Sequence, residues 1–91
     1  MLTRDARLQI PDHVVTRQVG DETILLNLES GTYFGLDPVG SRFLELLEAG
    51  GMLAAVLAKM LEEFDVTEAQ LEADLLRLAD EMIASRLLET A

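Results

Sequence analysis

The sequence predicts an α+β fold in which a small antiparallel sheet comes before a set of helices. Residues 13–36 contain short runs of β-branched, aromatic and apolar residues that are separated by glycine-containing turns. From residue 38 onward the apolar residues recur at intervals of three and four, which is the spacing of one helix face. Strands followed in sequence by helices are typical of this class rather than of an alternating α/β fold.

Three strands are predicted, and both turns between them contain glycine. The first turn is Gly20-Asp21, a dipeptide typical of two-residue hairpins. The second is the triplet Glu29-Ser30-Gly31, in which Gly31 can adopt the positive φ that a three-residue loop needs. These turns indicate a meander whose strands are His13–Val19, Thr23–Leu28 and Thr32–Leu36.

The third predicted strand has two different faces. Phe34 and Leu36 share the face that we expect to enter the core, whereas Tyr33 and Gly35 share the other, so Tyr33 should face outward or lie at a rim. A helix-start signal, Asp37-Pro38, follows at once, because aspartate caps helices and proline fits the first helical position.

Three helices account for the rest of the chain. Gly50-Gly51 supplies a C-terminal signal for the first. Thr67, with Gln70 three residues later, forms a capping box at the start of the third. The short link between the second and third helices, together with the small sheet, suggests a winged-helix-like arrangement. The predicted helices are Pro38–Glu48, Met52–Phe64 and Thr67–Ser85.

The chain has 91 residues, enough for one small domain with a modest core. Residues 1–12 are mixed and polar, and we expect them to form a loose or extended arm. Residues 13–91 then form the winged-helix-like domain, closed by Leu87 and Leu88.

Composition excludes several functional classes. The formal net charge is -10, which opposes binding to nucleic-acid phosphates. The acidity indicates either a solvated helical surface or a field that favours a basic partner. No apolar run approaches the roughly 18 residues that span a membrane. The N-terminus lacks the apolar segment of a signal peptide. We therefore expect a cytoplasmic protein with no nucleic-acid or membrane partner.

The sequence contains little that points to catalysis. It has no cysteine and a single histidine, His13, and none of its serines lies in a nucleophile-elbow sequence. Gly50-Gly51 lacks the Lys and Ser/Thr that complete a phosphate-binding loop. We expect no enzymatic activity, no metal site and no cofactor.

The remaining possibility is recognition. An edge strand exposes unpaired N–H and C=O groups to which an extended peptide can add as a further strand. The third strand and the long third helix would together form a groove with an apolar floor. The alternative is that the helix simply covers this edge.

The run from Gly20 to Gly51 resembles the PqqD-type peptide chaperones, which are also called RiPP recognition elements. Its GTYFGLDPVG segment is most similar to the stand-alone leader-peptide-binding subunits of lasso-peptide biosynthesis. The resemblance extends over about Pro11 to Leu88. The matching features are Leu25-Leu26, Ser30-Gly31, Tyr33-Phe34, Leu36-Asp37, Gly40, Val66-Thr67 and Leu87-Leu88.

The resemblance implies a winged-helix-like fold with no catalysis by this chain. Members of the family bind the leader of a ribosomal precursor peptide as an added strand and present the precursor to a modifying enzyme. That enzyme is a transglutaminase-like leader protease in lasso pathways and a radical enzyme in cofactor pathways. The implied binding strand is Thr32, Tyr33, Phe34 and Gly35, and the implied helix wall is Leu71, Asp74, Leu75 and Leu78.

Two other functions fit the predicted architecture. A winged-helix DNA-binding regulator has the same element order, although the net charge opposes it. A small dimeric antitoxin-like or scaffold protein needs no site at all.

Overall fold

The computed structural model describes residues 2–91 and confirms the predicted α+β order. A three-stranded antiparallel sheet, in which neighbouring strands are consecutive in sequence, is followed by three helices, and a separate pair of short strands joins the two ends of the chain. The elements are β1 (Leu8–Gln9), β2 (Val14–Val19), β3 (Glu22–Asn27), β4 (Tyr33–Leu36), α1 (Pro38–Gly50), α2 (Leu53–Glu63), α3 (Glu68–Ala84) and β5 (Glu89–Thr90).

The first hairpin closes as predicted around Gly20-Asp21, with Val19 opposite Glu22. Gly20 has φ 67°, the positive value that a glycine supplies at the first central position of a two-residue hairpin turn. The second hairpin also uses a positive glycine φ, since Gly31 has φ 74°. The predicted role of Gly31 is therefore confirmed.

The second hairpin loop begins earlier than predicted, because Asn27 ends β3 and organises the turn. Its Oδ1 accepts hydrogen bonds from the backbone N–H groups of Glu29 (2.9 Å) and Ser30 (3.3 Å). Its Nδ2 donates to the carbonyl of Ser85 at 3.2 Å, which ties the loop to the end of α3. Leu28, predicted to end the strand, is instead 59 % exposed in the loop. The asparagine side chain offers the backbone a turn in place of the next ladder pair.

A single residue, Asp37, links β4 to α1. Asp37 caps α1 as predicted, its Oδ1 accepting from the N–H of Gly40 at 2.8 Å, and Pro38 occupies the first helical position. A Cβ at Gly40 would lie 3.2 Å from Leu36 Cδ2, which is closer than ordinary side-chain contacts. Glycine at this position therefore lets the helix start directly against the strand.

The start of α3 confirms half of the predicted capping box. The Thr67 hydroxyl accepts from the N–H of Gln70 at 3.3 Å, but the Gln70 amide donates forward to Asp74 Oδ1 at 3.0 Å. At the other end, Arg86 adopts φ 58°, and the N–H of Leu87 donates to the Met82 carbonyl at 2.8 Å. This is a Schellman-type end in which arginine occupies a position that usually holds glycine.

The core lies between one face of the sheet and the apolar faces of the three helices. Leu36 is buried and Phe34 is partly buried, whereas Tyr33 is exposed, as the strand pattern predicted. Helix α2 begins at Leu53, one residue later than predicted, and Met52 instead forms an isolated antiparallel β-bridge with Arg7. The fully buried side chains of largest volume include Phe43, Leu25, Leu44, Met60 and Met82.

The N-terminal arm is attached more firmly than its polar composition predicts. Leu8 is 2 % exposed, and its strand pairs with β5, with Leu8 opposite Thr90. Pro11 is buried as well. Leu87 and Leu88 are buried and close the fold as predicted. Of the two expected forms, loose or extended, the arm takes the extended one at β1. Its attachment to β5 was not predicted, because two ladder pairs give too short a sequence signal.

Candidate functional site

Strand β4 is an edge strand whose outer side is open. The N–H of Asn27 donates to the carbonyl of Thr32 at 3.0 Å, so these two residues form a hydrogen-bonded pair. Such pairs alternate along an antiparallel ladder, which makes Phe34 the next residue bonded to β3. The N–H and C=O groups of Tyr33 and Gly35 therefore point away from β3, toward the open edge.

A groove of about 510 Å³ lies between this edge and α3. Its apolar surface includes Leu75 and Leu78 from the helix and Phe34 from the strand. Five of the eight residues in the predicted site line it: Phe34, Gly35, Asp74, Leu75 and Leu78. The structure thus brings the predicted strand and the predicted helix wall together without the helix closing the edge.

The other three predicted residues lie outside the groove. Thr32 precedes β4, and its hydroxyl is 2.7 Å from that of Ser30. Tyr33 begins β4 and is 73 % exposed. Leu71 is 4 % exposed and belongs to the core. It lies on the same face of α3 as the buried Ala79 and Met82, which is why it packs inward.

The groove also contains residues that the sequence interpretation did not include. Arg77 and Glu81 line it from α3, and they follow Asp74 by three and seven positions, so the helical period that selected Leu78 would also have selected them. Val39 and Gly40 line it from the start of α1. Their contribution follows from the one-residue link between β4 and α1, which places the helix start at the end of the groove.

The rim of the groove is acidic. Asp37, Asp74 and Glu81 line it against a single guanidinium, that of Arg77. Arg77 donates to Asp74 Oδ1 at 2.9 Å, so part of this charge is already paired, and both side chains are largely exposed. An apolar surface, outward backbone groups and an acidic rim suit an extended peptide with apolar side chains and a basic residue nearby.

The titratable groups with shifted pKa values lie elsewhere. The Arg42 guanidinium forms a two-pronged contact with Glu63, at 2.7 and 2.6 Å, and also pairs with Glu45. The hydrogen bond from Arg42 lowers the pKa of the Glu63 carboxyl, and that with Glu63 raises the pKa of Arg42. This is an exposed ion-pair network joining α1 to α2, and it does not border the groove.

Among residues 2–91, no cluster of three or more His, Cys, Asp or Glu side chains is arranged to hold a metal ion. No helix in this part of the chain combines the length and the apolarity that crossing a bilayer requires.

Comparison with known structures finds the same fold in two complexes. One is "TbiB1 in Complex with the TbiA(beta) Leader Peptide", with 40 % sequence identity and a TM-score of 0.85 over 89 % of this chain and 94 % of that one. The other is "Lasso peptide synthetase B1 complexed with the leader peptide", with 20 % identity and a TM-score of 0.83 over 92 % and 99 %. The second likeness is one of fold alone.

Comparison with sequences gives a family. No curated protein matches the chain significantly. The family model described as "Coenzyme PQQ synthesis protein D (PqqD)" matches residues 22–88. That range begins with β3 and ends beyond α3, so it contains both walls of the groove and the tight junction at Gly40. The chain belongs to the PqqD family.

Proposed function

We propose that this chain is a non-catalytic subunit that binds the leader of a ribosomally made precursor peptide. The leader adds to β4 as a further strand, and the subunit presents the precursor to a modifying enzyme. The observation that carries the proposal is the open edge of β4, where Tyr33 and Gly35 direct their backbone groups outward beside an unfilled groove. An edge of this kind is suited to strand addition.

In strand addition, the backbone groups and the side chains make different contributions to binding. The N–H and C=O groups of Tyr33 and Gly35 supply as many as four hydrogen bonds, which set the register of the leader. Alternate side chains of the added strand then point toward the groove, where the partly buried Phe34 and Leu78 offer apolar contacts. A basic leader residue would meet the acidic rim, at a gain of about 0.2–1 kcal/mol for an exposed ion pair.

The comparisons support this function. Both similar structures are complexes with a leader peptide, and the more similar in sequence shares 40 % of its residues with this chain. We infer that the pathway is of the lasso type, in which the partner is a leader protease. A radical enzyme is the partner expected if the pathway instead makes a cofactor. In either case the bond-breaking chemistry belongs to the partner.

The DNA-binding alternative finds no support. In a winged-helix regulator the third helix would face the phosphates, and on α3 five acidic residues outnumber the single basic residue, Arg77. Helices of that charge repel the DNA backbone. The acidic residues of α3 are Glu68, Glu72, Asp74, Asp80 and Glu81.

The test compares two substitutions at one position, using calorimetric titration with a synthetic leader peptide. Tyr33→Pro removes an outward N–H, while Tyr33→Ala removes the side chain and keeps that N–H. Proline is tolerated on edge strands, so both variants should fold. We expect proline to weaken leader binding much more than alanine does. Equal affinities for the two variants would contradict strand addition at Tyr33.

A further inference from the structure

The face of the sheet that points away from the helices is open and apolar. In the β2-β3-β4 register, Val15 lies opposite Leu26, and Leu26 lies opposite Tyr33, so the three form one row across the sheet. Val19 and Ile24 lie on the same face by the alternation of the strands. Four of these five side chains are exposed to solvent. We call this surface, Val15, Val19, Ile24, Leu26 and Tyr33, the outer sheet face.

The outer sheet face carries one residue of each charge sign. By the same alternation Arg17, opposite Ile24, and Glu22, opposite Val19, also lie on this side of the sheet. They are the only charged residues of β2–β4, whereas the chain has seventeen acidic residues. The carboxylates are concentrated instead on the helices and loops. Exposed aliphatic and aromatic side chains with few charges among them are typical of an interaction surface.

The outer sheet face is continuous with the proposed leader site. A strand added to β4 becomes the fourth strand of the sheet, and every second side chain emerges beside Tyr33 and Gly35. A Cβ built on Gly35 meets no atom within 4 Å, so space is free there for a neighbouring side chain. The bound leader would therefore widen the outer sheet face by about 4.8 Å, one strand spacing.

We propose that the outer sheet face, extended by the bound leader, docks the enzyme that modifies the precursor; this rests on the function proposed above. Two strands of six residues and one of four, about 4.8 Å apart, present roughly 250 Å², compared with about 800 Å² per partner in a stable complex. That area is too small for a stable dimer of this chain. It fits a transient contact with an enzyme, and the area of that contact grows when the leader is bound.

The test uses two matched valines. Val15 on the outer sheet face and Val66 in the link between α2 and α3 are 47 % and 46 % exposed. Val15→Glu and Val66→Glu therefore make the same chemical change at the same exposure. We would measure leader affinity by calorimetry, and then the concentration of each variant that half-saturates cleavage of a fluorescent precursor by the purified leader protease of the pathway.

We expect both variants to bind the leader within about twofold of the wild-type chain, since neither residue borders the groove. Val15→Glu should raise the half-saturating concentration by about tenfold or more, and Val66→Glu should leave it unchanged. Val15→Thr replaces the charged variant if Val15→Glu fails to fold, because threonine keeps the β-branched shape that strands favour. It should raise the half-saturating concentration by about threefold.

Three results would overturn the inference, and each has a different meaning. If the wild-type chain does not bind the leader, the proposed function fails and the docking surface fails with it. If all chains bind the leader and Val15→Glu still supports cleavage as the wild type does, the docking surface alone is wrong. If sedimentation shows a dimer that Val15→Glu dissolves, the face serves a second copy of this chain instead.

Discussion

Replacing Asn27 by alanine should destabilise the fold by about 2–3 kcal/mol. The side chain is 1 % exposed and makes three hydrogen bonds, to the backbone of Glu29, Ser30 and Ser85. Each such bond contributes about 0.5–1.5 kcal/mol net, and water partly replaces the two that involve exposed loop amides. The loss should also loosen the start of β4, because Asn27 holds both the turn before that strand and the end of α3.

Thermal and urea unfolding followed by circular dichroism would measure this loss. For a domain of this size, 2–3 kcal/mol corresponds to a fall in Tm of about 10–20 °C. Ser30→Ala is the control, since it removes only two exposed contacts of the Ser30 hydroxyl, with the hydroxyl and the backbone N–H of Thr32, and should cost less than about 0.5 kcal/mol. If Asn27→Ala were as stable as Ser30→Ala, the side chain would not organise the hairpin.

Three further predictions follow from single contacts. Arg86→Gly should raise the free energy of unfolding in urea by about 0.5–1 kcal/mol. Glycine removes the steric strain of the left-handed backbone at this position, and its greater flexibility in the unfolded chain offsets only part of that gain. A destabilised variant would contradict this. Leu78→Asp should abolish leader binding in calorimetry while Asp74→Ala weakens it by less than about fivefold, and the reverse order would place the contact on the rim. Because Arg42 lowers the pKa of Glu63, their pair stabilises the fold above the usual carboxyl pKa of 4.5 and loses this effect as the pH falls through the lower folded pKa. The stability difference between wild type and Glu63→Gln should therefore shrink from pH 7 to pH 3, and a constant difference would refute the assignment.

The element order was predictable because its signals are local. Turn glycines, the Asp37-Pro38 helix start and the spacing of leucines each depend on a few neighbouring residues, and the structure retains all of them. The pairing of β1 with β5 was not predictable in this way. It joins residues about 80 positions apart through two short strands, and only the folded chain brings Leu8 to Thr90.

The candidate site was predictable only in part, because helical spacing is also a local signal. Helical spacing places Leu71, Leu75 and Leu78 on neighbouring parts of one surface, but it does not say which neighbour covers each. The core covers Leu71, and Leu75 is 2 % exposed although it borders the groove. Leu75→Asp would therefore test the stability of the core before it tests the site. Leu78, which is only partly buried, is the better position for a binding variant.

The central claim is that a leader peptide adds to the open edge of β4. The most direct measurement is a titration of ¹⁵N-labelled protein with the leader, followed through backbone amide shifts in NMR spectra. We expect the largest shifts on Tyr33 to Gly35 and on the groove side of α3, and we expect the amides of Tyr33 and Gly35 to become protected from exchange with solvent. Largest shifts on β2 and α2, with Tyr33 to Gly35 unchanged, would contradict it.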